Sequence, residues 1–336
     1  MGNMAAVMTG IDVIEIQERP EPVAEPGTAV VAIQSVGVCG SDVAYLKHGR
    51  IGDYVVTGDI VLGHEVAGEV IEVGPGVTNV KVGDRVAIEP GTPCRNCKEC
   101  MHGRYHLCPD FVFLATPPYD GALVQRLAVD ARQLFPLPDS MSYEEGALIE
   151  PLSVGLWACK RASLQAGDRV LISGSGPVGL LAAEAARALG ASTVTLTDVS
   201  DFRLGLAASH GFTVEKADEP SDELFDVYIE CAGVPGVFVQ GLMRLDNGGR
   251  AAMVGLDKTD KTQLPLASLN PHELTIVQVN RYQFTWPVGI SLVSSGRIDV
   301  AGLVTHEFSL SQTAEALNLS STVPNSMKAV IHPQKL

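Results

Sequence analysis

Aromatic residues are scarce in this chain: they make up 5% of its 336 residues, with only two tryptophans. Basic charge is short too, with 24 Lys and Arg against 39 Asp and Glu, a net −15 with neutral histidines. A field of that sign repels phosphate backbones and anionic headgroups, and no basic patch with interleaved aromatics stands out. Neither a nucleic acid nor a membrane surface is therefore expected as a partner. The uncharged stretch 282–296 is broken by Pro287, Gly289 and several serines and falls short of the ~20 residues that cross a bilayer. The first residues lack a basic region followed by an apolar core and a cleavage site, so no secretory signal is expected. Gly2 is followed by Ala6 where a myristoylation pattern needs Ser or Thr. The seven cysteines are an odd number in a long chain, which excludes a disulfide framework and suits a reducing, cytoplasmic setting.

What is present is enough apolar material, 46% of residues, to build real cores, together with 34 glycines and 20 prolines for turns. The length accommodates two domains of ordinary size. The first 150 or so residues read as short strands: 28–38 is β-branched and apolar, 66–73 alternates, and Gly74, Pro75, Gly76, Gly83 and Asp84 punctuate the chain beyond 73 with turns. A packed, partly closed antiparallel sheet is expected there. Near Pro151 the pattern changes. Helical stretches at 154–161, 178–189 and from 203 alternate with strand-like stretches at 168–173, 194–197, 227–230 and 249–254. That order predicts an open parallel sheet with helical covers, thin over the short polar segment 217–223. The last 45 or so residues are mixed, with strands at 304–307 and 327–331 flanking a helix at 310–319.

The spacing Cys94-x2-Cys97-x2-Cys100-x7-Cys108 brings four thiols together, with Gly91, Pro93 and Gly103 to let the chain turn around an ion. A closed tetrathiolate zinc site is the expected outcome, structural because no ligand position stays open. An iron–sulfur centre also uses four cysteines, but no second cluster motif accompanies these. Cys39, in VGVCGSD after a strand, and His64-Glu65, in VLGHEVAG before another, could supply three ligands to a second zinc with an open fourth position. From spacing alone this signal is weak: a lone cysteine is usually a small core residue and a lone His-Glu pair usually a surface pair.

The run VLISGSGPVGLLAAEAARALGA places Gly174, Gly176 and Gly179 between a predicted strand and a predicted helix. The first allows a tight turn, the second close approach of pyrophosphate, the third close helix–strand packing, with the helix N-terminus facing phosphate. Asp198 ends the next strand, where its carboxylate accepts adenosine ribose hydroxyls and repels a 2′-phosphate. NAD is favoured over NADP.

Taken together, VGVCGSDVAYLKHGRIGDYVV, VLGHEVAGEVIEVG, GDRVAIEPGTPC, ATPPYDGAL, EEGALIEPLSVGLWA, SGSGPVGL and RYQFTWPV resemble the zinc-dependent medium-chain dehydrogenase/reductase family, over roughly residues 5–333. The branch resembled is that of the polyol dehydrogenases acting on sorbitol and xylitol. The resemblance implies an α/β protein with a GroES-like β-rich catalytic domain at 1–152 and 291–336 and a Rossmann, doubly wound parallel-sheet domain at 153–290. It implies Cys39, His64, Glu65 and Glu150 at a catalytic zinc, directly or through water, with Ser41 in the proton-transfer chain. Tyr45, Phe113, Thr116, Arg281 and Tyr282 match positions around the substrate. Gly174, Gly176, Pro177, Val178, Gly179, Asp198 and Arg203 match the cofactor site. The implied reaction oxidises a polyol secondary hydroxyl to a ketose with hydride transfer to NAD, in a cytoplasmic homotetramer or homodimer with two zinc ions per chain. Oxidation of 2,3-butanediol or another secondary alcohol is the nearest alternative. A catalytically silent nicotinamide-binding protein is the non-enzymatic one, and the intact Cys39, His64, Glu65 and Glu150 set argues against it.

Overall fold

The computed structural model describes residues 2–255 and 261–336. The chain divides into two compact units: Met1–Glu150, Trp286–Ser294 and Val300–Leu336 form one, Pro151–Thr285 and Ser295–Asp299 the other. None of the described helices is long and apolar enough to cross a membrane.

In the first unit the β-branched strand Thr28–Gly37 is central. It pairs antiparallel with Glu65–Val73, Arg126–Asp130 and Lys328–His332. Arg85–Ile88, Leu134–Pro136 and Val304–Ser309 complete a seven-stranded sheet, and Asn3–Gly10, Val13–Arg19 and Ile60–Val61 form a smaller one. Val31, Ile33, Val36, Val66, Val70, Ile88 and Ile331 are buried together in one core. The sheet is antiparallel as expected except at its C-terminal edge, where Val304–Ser309 and Lys328–His332 run parallel. The helix Thr313–Thr322 makes that possible, because parallel neighbours need a long crossover. Register carries the functional consequence. Gly37 faces Glu65 on one side and Val330 on the other, so three distant segments end together.

The second unit holds a six-stranded sheet in the order Thr213–Lys216, Thr193–Asp198, Arg169–Ser173, Phe225–Glu230, Leu245–Met253, Thr275–Gln278. All its pairings are parallel. Val170, Ile172, Leu196, Val227 and Ile229 are buried, the continuous apolar pattern of strands covered on both faces. Strand order reverses between Arg169–Ser173 and Phe225–Glu230, the crevice where such sheets bind ligands. The connection from Lys216 to Phe225 contains no helix, since ADEPSDEL has too few apolar residues to make an amphipathic one. A cavity of 610 Å³ over Leu171, Tyr228 and Met243 lies under that thin cover.

The helix Pro177–Ala188 buries Glu184 completely among alanines and leucines. Arg187 donates to both Glu184 oxygens at 2.6 Å, and His210 Nδ1 lies 2.9 Å from Oε1. Arg187 also donates to the His210 carbonyl at 2.6 Å and covers the Phe212 ring at 4.3 Å. The cluster ties this helix to the helix Asp201–Ser209 and the chain beyond it. Breaking a buried ion pair by removing one partner costs several kcal/mol, less where the other partner reaches water, as Arg187 does. Glu184→Ala is expected to destabilise the protein by roughly 2–3 kcal/mol, read as a lower urea midpoint at unchanged m-value.

Candidate active site and metal centres

Cys39 caps the helix Gly40–His48 just past the central strand, and Glu65 opens its own strand directly opposite Gly37. The donor atoms of Cys39, His64 and Glu65 lie within 4.8 Å of one another, with His64 and Glu65 buried. Spacing alone left open a surface pair and a core thiol; the fold instead gathers the three. A Cβ at Gly37 would overlap Glu65 Oε2 and crowd its Cβ, so glycine there lets Glu65 keep this orientation. Gly63 sits at φ +91°, which delivers His64 into the cluster.

Asp42 holds the two loops together. It is buried, its Oδ2 accepts the Cys39 N–H at 3.1 Å, its Oδ1 accepts the Gly63 N–H at 2.9 Å, and His64 Nδ1 lies 3.6 Å from Oδ1. Burial works against the charge on Asp42, but His64 and the two N–H donors outweigh it and hold the carboxyl below its usual range. Burial likewise pulls His64 down, while the Asp42 and Cys39 charges outweigh it and push the imidazole well above its usual range. Sequence reasoning chose Ser41 and passed over Asp42; the available signal was an acid at the third helical position, the mark of a capping box. Lys328 was missed as well. Its buried ammonium lies 2.6 Å from Glu65 Oε1 and 2.5 Å from Oε2.

Ser41 is half-buried in the first turn of the helix Gly40–His48. Phe113 lies with its ring centroid 5.5 Å from that of His64, and buried Tyr45 is hydrogen-bonded to Thr116. Glu150 is buried but not part of the three-residue cluster; its charge is felt by Lys328 and by Glu89. Glu89 is pushed up to about 7, chiefly by burial, even though the Tyr105 hydroxyl donates to it. Arg281 and Tyr282 belong to the second unit, beyond the strand Thr275–Gln278. Arg281 is held at φ +53° and Tyr282 is buried.

The four lobe cysteines also gather, their sulfurs all within 4.8 Å. Arg95 at φ +65° and Gly103 at φ +75° turn the chain around them, and Cys97 caps the helix Lys98–Met101 that carries Cys100. The Asn96 and Cys97 amides bring the Cys94 thiol down to about 7. Four thiols suit a closed tetrahedral zinc. One thiol, an imidazole and a carboxylate suit a zinc with an open position.

In the second unit Gly174 adopts φ +86°, and a Cβ on Gly179 would collide with the Gly174 carbonyl. Gly176 caps the helix with no side chain over its amides, leaving them for an anion, and Pro177 and Val178 form its first positions. Asp198 accepts the Ser175 N–H at 2.8 Å and the Ser200 N–H at 2.9 Å, which orient its carboxylate with lone pairs to spare. Arg203 Nη1 lies 3.9 Å from it. These residues fit a dinucleotide with a free ribose 2′-hydroxyl.

A β-rich unit bearing an open and a closed zinc-type donor set, joined in one chain to a parallel-sheet unit with a dinucleotide turn, defines a zinc-binding dehydrogenase. Known proteins agree. Residues 25–139 match the alcohol dehydrogenase GroES-like domain family and residues 177–295 the zinc-binding dehydrogenase family. A sorbitol dehydrogenase of Bacillus subtilis is 42% identical over 98% of this chain and 97% of its own. An L-idonate 5-dehydrogenase of Vitis vinifera is 39% identical over 98% and 94%. The crystal structure of a 2R,3R-butanediol dehydrogenase from Bacillus subtilis superposes with a TM-score of 0.90 at 30% identity, over 98% and 99% of the two chains. The chain belongs to the zinc-containing medium-chain alcohol dehydrogenase family. Within it, the protein is an NAD-dependent zinc dehydrogenase of the sorbitol dehydrogenase branch, acting on polyols or alcohols.

Elemental analysis of the purified protein is expected to find two zinc ions per chain. Cys100→Ser is expected to lose one of them and to lower the melting temperature first, because structural zinc contributes directly to folding. A single zinc in fully active protein would contradict the two-site assignment.

Proposed function

We propose that the protein oxidises a secondary hydroxyl of a linear polyol, of the sorbitol, xylitol or galactitol kind, to the ketose, with NAD preferred over NADP. The observation that carries this reading is the carboxylate character of the open site: Glu65 stands in the donor cluster and a second buried acid, Glu150, is within electrostatic reach of Lys328 beside it. The unit of residues 1–150, 286–294 and 300–336 serves catalysis and that of 151–285 and 295–299 the cofactor. When bound, zinc supplies Lewis acidity toward the substrate hydroxyl and nicotinamide accepts the hydride.

The remaining work falls to side chains. Cys39, His64 and Glu65 would hold the metal, directly or, for Glu65, through water. Glu150 and Ser41 hold water and lead the hydroxyl proton away. Phe113, Thr116 and Tyr45 wall the pocket and exclude bulk water near the reacting carbon. Arg281 and Tyr282 offer hydrogen bonds to the more distant hydroxyls. A simple alcohol leaves such groups unpaired, at about 1–3 kcal/mol each. Oxidation of 2,3-butanediol is the second reading, favoured by the likeness to the butanediol enzyme. A cytoplasmic homotetramer or homodimer is the proposed working form.

The test is kcat/KM with NAD for sorbitol, xylitol, galactitol, 2,3-butanediol and 2-propanol. Two unmade hydrogen bonds give the best polyol an expected advantage of ~30-fold or more over 2-propanol. Arg281→Ala should shrink that advantage mainly by lowering polyol efficiency. A best rate on butanediol, independent of Arg281, moves the protein to the second reading.

The cofactor preference is tested separately. Wild type should use NAD far better than NADP, and Asp198→Ala should lose NAD efficiency and narrow the gap in steady-state kinetics. Equal use of both cofactors by wild type would remove Asp198 from its role.

A further inference from the structure

Lys328 lies outside every motif in the sequence, yet it reaches the open metal site from the last strand of the chain. Val330 pairs with Gly37, and the Val38 N–H donates to the Ala329 carbonyl at 3.0 Å, so the antiparallel register continues past the strand end and brings Lys328 level with Cys39. The side chain is buried, and three oxygens lie against its ammonium: the Val38 carbonyl at 2.8 Å, Glu65 Oε1 at 2.6 Å and Glu65 Oε2 at 2.5 Å. The ammonium donates to the Val38 carbonyl and to Glu65 Oε1, and its charge lies against the second carboxylate oxygen as well. Val38 is covalently joined to Cys39. One cation therefore ties together two of the three ligand-bearing positions.

We infer that Lys328 is a positioning residue of the open metal site, holding the Cys39 loop and the Glu65 carboxylate at ligand-forming separation and in fixed orientation. The inference rests on the reading of Cys39, His64 and Glu65 as a zinc site. Asp42 performs the matching task for Cys39 and His64, so two buried groups of opposite charge brace the cluster. Lys328 is held between the Val38 carbonyl and the Glu65 carboxylate. Its contribution is geometric and goes to the metal. Residues that orient metal ligands in this way are worth about 10–100-fold in metal affinity or activity when removed.

The experiment uses the full-length zinc-loaded protein and follows metal transfer to a chromophoric chelator, which resolves two sites by affinity. Lys328→Met keeps the stem and removes the donors. It is expected to weaken zinc at the open site by about 10–100-fold while the tetracysteine site, an internal control on the fold, stays unchanged. Cobalt substituted into the open site should show altered visible absorption bands, which a merely structural role would not move. Lys328→Arg, which keeps the charge and a donor fork, should recover part of the affinity and of the spectrum. Should Lys328→Met fail to fold, Lys328→Arg and Lys328→Gln carry the same comparison. Wild-type affinity and cobalt spectrum in the variants that lack the ammonium would overturn the inference and leave the zinc-site reading standing. A wild-type protein that takes up metal only at the four cysteines would overturn both.

Discussion

Burying several like charges in one small volume is the constraint on which the catalytic end of this protein is built. Asp42, Glu65 and Glu150 are all buried, and the Cys39 thiol stands beside Glu65. An isolated buried ion costs several kcal/mol, so the arrangement exists only because each anion has a partner. Asp42 takes two backbone amides and faces His64; Glu65 takes Lys328; the metal would complete the balance for Cys39 and His64. The ends of strands Thr28–Gly37, Glu65–Val73 and Lys328–His332 meet at the same level, and that convergence makes the pairings possible.

The second unit solves a different problem, close approach of backbone to an anionic ligand. Gly174 turns where a side chain would be strained, and Gly179 lets the helix descend onto that turn. Amides at the helix start then point outward with no side chain of their own over them. The carboxylate of Asp198 is oriented by backbone donors before any ribose arrives, so little order has to be imposed on binding. Buried Glu230 does the same for the neighbouring turn, accepting the Ala232 and Gly233 amides at 2.7 and 2.8 Å.

The thin cover over one face of the parallel sheet is compensated locally. Residues 217–224 carry no helix, yet the sheet beneath keeps its parallel order. Buried Ser173 and Tyr228 satisfy each other across the thinly covered face at 2.7 Å, and Arg244 pairs with Glu215, which in turn accepts from Ser221 in the short connection. Polar groups that a covering helix would otherwise shield are thus paired within the sheet and its loop.

Much of this was legible in the residue order. Four closely spaced cysteines and the Gly174-Gly176-Gly179 turn are local: their partners lie within one loop or one strand–helix unit, so spacing alone specifies the chemistry. The polar composition of 217–223 likewise announced a thin cover. Three matters were decided only by tertiary structure. Cys39 and His64-Glu65 are ambiguous as isolated strings, and sheet register turns them into one cluster. Asp42 looks like an ordinary capping acid until Gly63 and His64 come against it. Lys328 is separated from Glu65 by most of the chain, and no periodicity relates them; a strand added after a long crossover sets them side by side. The sequence determined which chemical groups were available and how each segment would bend. Long-range strand pairing decided which of those groups share one buried volume, because only there does each charge gain the partner that makes its burial tolerable.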